Sequence, residues 1–164
     1  MKTLYLIRHA KSSWGEPGLA DFDRPLNKRG KRDIPQMGIR LKELGAVPDL
    51  IVSSPAKRAI TTAREIADEL GYERNRIVLN DRIYGATAED TLRIVRSTDD
   101  EHASVMVFGH NPTMTDLVNV LTDIDLDNMP TCGAVCATFD VEAWGELGEG
   151  LGKSVFFKYP KLLG

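Results

Sequence analysis

Four side chains stand where they could do chemistry together. Arg8 and His9 close an apolar run, Arg58 follows Ser54-Pro55 by a few residues, and His110 lies in Gly109-His110-Asn111-Pro112. A histidine becomes a nucleophile when one ring nitrogen is held protonated by a hydrogen bond and the other keeps its lone pair. Arginine offers a planar donor fork that fits phosphate oxygens better than lysine does. A second histidine, protonated by a bound dianion, can donate to a non-bridging oxygen. Phosphoryl transfer needs these parts: an in-line nucleophile, positive charge on the oxygens and a way for the leaving group to depart. Each residue alone has a plainer reading. A lone histidine is most often structural, and His102, between Glu101 and Ala103, reads as one. Arg64, Arg74, Arg76, Arg93 and Arg96 read as surface charges.

Position is what separates the four from that background. Thr3 to Arg8 is bulky and apolar, as in a strand buried on both faces. Asp49 to Ser53, Ile77 to Leu79 and Ser104 to Phe108 read as further strands. Between them, helical spacing runs from Gly30 to Leu44, from Ser54 to Leu70 and from Glu89 to Arg96. Ser54 reads as an N-cap with Pro55 at the first helical position, and Pro35 as tolerated near the first turn of its helix. Another helix follows Pro112, through Leu117, Val120 and Leu121. Val135 to Val141 and Lys153 to Tyr159 alternate around a connection rich in glycine, which predicts a β-hairpin with a loose, linker-like loop. Strand and helix in alternation predict an α/β fold, and in such sheets ligands bind beyond the carboxyl ends of the parallel strands. Arg8-His9, Ser53-Ser54 with Arg58, Asp81, and Gly109-His110 each follow a different strand. One rim would receive them all.

The remaining segments bound the answer. At 164 residues with 42% hydrophobic and 27% charged composition, residues 1–164 read as a single soluble domain with a real core. The net charge of −3 gives no global field for nucleic acid, and no apolar run is long enough to span a membrane. The N-terminal apolar run is too short for a signal peptide, so the protein is expected in the cytoplasm. Cys132 and Cys136 are expected in one strand, where four residues span about 13 Å, too far for a disulfide. His and Cys occur at no zinc-ligand spacing, and no phosphate-binding nucleotide loop is present, so neither metal nor cofactor is expected. Lys11 to Pro25 is a long aperiodic loop of the kind that is often functional. In it Trp14 would cover core or touch substrate. Lys28 to Arg32 is a basic run, read as a solvated helix start or as a docking site for an acidic partner.

Arg8-His9-Ala10, Arg24-Pro25-Leu26 with Gly30, Ser53-Ser54-Pro55 with Arg58-Ala59, and Gly109-His110-Asn111-Pro112 together resemble the histidine phosphatase superfamily, which includes the cofactor-dependent phosphoglycerate mutases. The short length and Asp23-Arg24-Pro25-Leu26 resemble its smallest branch, the phosphohistidine phosphatases of the SixA type. Ala10 stands where the family usually has glycine. The resemblance implies a phosphoglycerate mutase-like, three-layer α/β/α sandwich with a mostly parallel central sheet and a C-terminal antiparallel hairpin. It implies a metal-independent phosphatase acting through a phosphohistidine, with His9 as nucleophile and Arg8, Arg58 and His110 on the phosphate. Arg24 is similar to a loop arginine that contacts phosphate. Asp81, in Leu79-Asn80-Asp81-Arg82-Ile83-Tyr84-Gly85, matches the acid of the mutases but is the shorter Asp, and Arg82 could hold it as an ion pair instead. Only about twenty residues separate Ile83 from Ser104, so no long insertion closes over the site. An open site favours phosphohistidine on a protein over a small phosphate monoester such as a sugar or nucleotide phosphate. A third reading, a phosphate-recognition module without turnover, leaves the pair of histidines without a purpose.

Overall fold

The computed structural model describes residues 1–163. Among them six strands form one sheet in the order β3-β2-β4-β1-β5-β6. They are β1 (Lys2–Arg8), β2 (Leu50–Ser53), β3 (Val78–Leu79), β4 (Ser104–Gly109), β5 (Ala134–Phe139) and β6 (Lys153–Lys158). β1, β4, β2 and β3 run parallel, and β5 and β6 add an antiparallel hairpin at the β1 edge. The helices are α1 (Lys28–Glu43), α2 (Lys57–Leu70), α3 (Ala88–Arg96) and α4 (Thr113–Leu121).

Strand periodicity sorts the core into two layers. Leu4, Leu6, Val105 and Val107 face one way and join Leu92 and Val95 of α3 and Leu117 and Val118 of α4. Tyr5, Ile7, Met106 and Phe108 face the other and join Ile34 and Met37 of α1 and Ala63 and Ile66 of α2. The result is the expected α/β/α sandwich. Only the central strands are sheathed on both faces. Both residues of β3 are exposed, so that edge carries little of the core.

Several local expectations change. α2 begins at Lys57 with Ala56 as its N-cap residue, two residues later than the sequence suggests. The Ser54 hydroxyl does accept from Ala56 N at 3.2 Å, but within the preceding turn. α1 begins at Lys28, capped by the Asn27 side chain on Gly30 N, so Pro35 lies inside the helix rather than near its first turn. Cys132 is outside the strand, at positive φ in the turn before β5, because its N–H is drawn to the His9 carbonyl at 3.0 Å. Both cysteines are buried and unpaired by disulfide. The glycine-rich connection is not a loose linker. Trp144 is fully buried there, its indole N–H donating to the His102 carbonyl at 2.9 Å, and Gly152 N donates to Leu121 O at 2.7 Å. One large aromatic outweighs the local glycine content. No helix among the described residues is long and apolar enough to cross a membrane.

Candidate active site

The carboxyl ends of β1, β2 and β4 bring the histidines and Arg58 together through backbone hydrogen bonds. His9 N donates to Gly109 O at 3.1 Å, and Ser54 N to Phe108 O at 3.0 Å, so the chain continues past each strand in register with its neighbour. Arg8 pairs with Gly109 in the same ladder. A Cβ at 109 would stand 2.8 Å from the Met114 methyl, so this side chain packs directly against the strand end. The rings of His9 and His110 lie 5.2 Å apart, and Tyr84 stacks edge-on against His110 at 5.6 Å.

His9 Nδ1 lies 2.7 Å from its neighbour's carbonyl, Ala10 O. A carbonyl only accepts, so Nδ1 carries the proton and Nε2 keeps the lone pair. Burial pushes the His9 pKa down to about 3, with His110, Arg58 and Arg8 adding to the effect. The ring is therefore neutral at physiological pH. Ala10 N in turn donates to Thr62 Oγ1 at 3.0 Å, and that hydroxyl donates to Arg58 O at 2.7 Å. The residue after His9 is thus tied to α2 by one bond, through a hydroxyl that α2 itself holds in place.

His110 Nε2 shares a 2.8 Å hydrogen bond with Ser54 Oγ, while its Nδ1 is buried without a partner. Burial first, then the charges of Arg58, Arg8 and Arg24, lowers its pKa to about 4. Arg8 sends one terminal N–H to Met129 O at 2.8 Å and leaves Nε buried and unpaired. Arg58 likewise has a buried, unpaired Nε. Three unpaired polar nitrogens, two of them on cations, are costly to bury unless an anion meets them.

The long loop contributes differently. It holds a turn of 3₁₀ helix, Asp21–Asp23, and is pinned to Leu26 by a bridge from Ser12. Gly30, at the start of α1, lies so close to the Lys11 carbonyl that any Cβ would collide with it, which fixes where the loop ends. Asp21, a residue that sequence reasoning missed, is the hub. Its Oδ1 accepts from Arg24 Nε at 3.1 Å, and its Oδ2 from Arg58 Nη2 at 3.0 Å and Tyr84 Oη at 2.6 Å. Its carbonyl takes Arg58 Nη1 at 2.7 Å. The Tyr84 hydroxyl, with the two guanidiniums behind it, holds the Asp21 pKa down to about 2. No single-residue signal picks Asp21 over Glu16 or Asp23; only the fold shows which carboxylate meets Arg58. Trp14 does not cover core. It is 76% exposed and stacks on the Arg24 guanidinium at 3.4 Å.

Asp81 lies in an exposed 3₁₀ turn, Asp81–Ile83. Among the described residues its side chain makes no hydrogen bond or ion pair, either to the histidines and arginines of the site or to Arg82. The described residues also contain no group of His, Cys, Asp and Glu that could hold a metal ion.

Comparison with known proteins agrees with this fold. The model of the histidine phosphatase superfamily (branch 1) matches residues 4–86. An uncharacterized chloroplastic protein of Arabidopsis thaliana is 29% identical over 153 residues, covering 88% of this chain and 70% of its own length. A crystal structure assigned as the phosphohistidine phosphatase SixA of Agrobacterium tumefaciens superimposes with a TM-score of 0.81 at 29% identity, over 97% of this chain and 98% of the other. The protein histidine phosphatase SixA complexed with tungstate shares the fold, with a TM-score of 0.83 at 21% identity over 99% of each chain.

Proposed function

This chain belongs to the histidine phosphatase superfamily and is a phosphatase, and from that premise we propose that it hydrolyses protein phosphohistidine through a covalent phosphohistidine on its own His9, without a metal ion. His9 Nε2 attacks phosphorus while the phosphorus–nitrogen bond of the substrate breaks. The substrate ring is first protonated from solvent on its other nitrogen, so the electron pair of the broken bond leaves on a neutral imidazole. The Nδ1–H on the Ala10 carbonyl keeps Nε2 aimed and spreads the positive charge that develops on the ring. Arg8 and Arg58, with Arg24 from the loop, supply the positive charge that a cation would otherwise bring to the non-bridging oxygens. A bound dianion raises the low pKa of His110, so that His110 is neutral in the free site and a donor in the occupied one. Water then attacks phosphorus from the side the imidazole left. The bond to Nε2 breaks, its electron pair returns to His9, and phosphate departs.

The observation that carries the choice of substrate is the state of Asp21. It is the carboxylate at this site, and Tyr84, Arg58 and Arg24 keep it ionised far below neutral pH. Held ionised in this way, it is poorly suited to act as a general acid at neutral pH. An alkoxide leaving group needs such an acid, worth about 10²–10⁴ in rate. An imidazole, whose conjugate acid has a pKa near 6.5, does not. The test is turnover measured side by side on a phosphohistidine protein, phosphotyrosine and a panel of sugar phosphates, with and without excess chelator. The proposal expects phosphohistidine to lead by a wide margin and chelator to change nothing. Preference for sugar phosphates would replace it with the small-molecule reading.

A further inference from the structure

From Arg8 a groove of about 260 Å³ runs between the start of α1 and the chain after β6. Its charged lining is Arg8, Lys11, Arg29 and Lys161, and no carboxylate lines it. Half-buried Pro130 and Tyr159 form an apolar floor against which side-chain stems can lie. Beyond it Arg29 and Arg32 sit 3.6 and 3.7 Å from the two oxygens of one buried carboxylate, Asp33, so two guanidiniums share a single negative charge. This concentration of positive charge occurs in a chain with 24 acidic and 21 basic residues. The stretch from Trp14 to Arg24 is different in kind, with exposed Trp14, Leu19 and Phe22 and with Asp21 neutralised by Arg24 and Arg58. Arg8 belongs both to the phosphate site and to the groove.

We infer that the groove binds an acidic segment flanking the phosphorylated residue of the partner protein, an inference that rests on the protein-phosphohistidine reading above. A phosphate on His9 puts the adjoining chain at Arg8, where the groove begins. Carboxylates in that chain meet Lys11, Arg29 and Lys161, and the absence of any carboxylate from the groove's lining leaves nothing there to repel them. These cations contact no reacting atom. They act on capture of the protein and leave the chemistry alone.

The experiment uses two phosphohistidine peptides of equal length, one with Glu-rich and one with Lys-rich flanks, and phosphoramidate as a substrate without flanks. Each is turned over by the native protein and by the Lys11→Glu, Arg29→Glu, Lys161→Glu triple variant. Native protein is expected to prefer the acidic flanks by about tenfold in kcat/KM at low salt, carried by KM and fading as salt rises. The variant should lose or invert that preference while its phosphoramidate turnover stays within about twofold of native. Equal use of both peptides by native protein, or the same preference in the variant, overturns the inference. A parallel anisotropy measurement uses the Glu-rich peptide without phosphate and a single-stranded oligonucleotide of equal charge. If neither phosphopeptide is hydrolysed although phosphoramidate is, the substrate reading fails, and the groove stands only if the acidic peptide binds native protein at least tenfold tighter than the variant. Binding of the oligonucleotide but not of the peptide would also overturn it.

Discussion

His9 and His110 owe their places to β1 and β4, whose backbone ladder sets Arg8 against Gly109, whereas Asp21 and Arg24 owe theirs to side-chain bonds within the stretch between β1 and α1. Of the strand-end pair His9 is buried and His110 half-buried; their pKa values lie well below neutral, and main-chain hydrogen bonds that no ligand can replace hold their backbone. The loop pair is held by an ion-pair network whose donors are the ones a phosphate would use. Asp21, with its side chain half exposed, occupies both terminal nitrogens of Arg58 through its carboxylate and its carbonyl. One region provides fixed geometry for the proposed nucleophile. The other provides charge that must be shared between an internal anion and the substrate.

The contrast can be broken or sharpened by experiment. Arg58→Ala should lower turnover by a hundredfold or more, or about 3 kcal/mol of transition-state stabilisation, as expected for a buried charge-assisted contact. Arg24→Ala should cost clearly less, on the order of tenfold, because its guanidinium hangs from the loop and stacks on an exposed ring. Equal losses would erase the distinction between the two regions.

Acid should act on the strand-end pair. His9 and His110 have folded-state pKa values lowered to about 3 and about 4, below the 6.5 of an unfolded histidine. Between these values the unfolded chain binds more protons than the folded one, so stability is full above pH 6.5 and falls as pH drops towards 4. Denaturant unfolding at pH 7 and pH 4.5 should differ by a few kcal/mol for these groups, and His110→Asn should flatten the difference in part. An unchanged pH slope in that variant would mean that the ring is not buried neutral.

A smaller effect is expected at the loop. Asp21→Asn removes the internal anion while keeping a side chain of similar shape, so tungstate and phosphate should inhibit several-fold more strongly as the Arg58 donors are freed. Weaker inhibition would show that Asp21 chiefly orients Arg58. The smallest effect is at Asp81. The Asp81→Asn variant should retain turnover within about twofold on phosphohistidine and on esters alike, in keeping with an exposed side chain without partners in the site. A selective loss on esters would restore its role as a proton donor.

The same contrast explains what the sequence made legible. The strands, the helices and the ends that carry Arg8, His9, Arg58 and His110 follow from apolar runs and motif residues, because main-chain geometry then fixes where those side chains go. Asp21 and Tyr84 carry no such signal, since their importance lies in partners distant in the chain: Asp21 meets Arg58, 37 residues on, and Tyr84, 63 residues on. Ser54 looked like a helix cap because Ser-Pro usually is one, yet it is also bonded to a histidine 56 residues away. Trp144 was hidden by the glycines around it, and Asp81 was favoured by a local pattern that the fold leaves in solvent.

The central claim is that the phosphoryl group passes through His9. Denaturing the protein without acid during turnover of a ³²P-labelled phosphohistidine substrate, then mapping the label, tests it directly. The account predicts label on the peptide containing His9, stable in base, lost in acid and absent from the His9→Ala variant. An acid-stable label, or one that maps elsewhere, would contradict it.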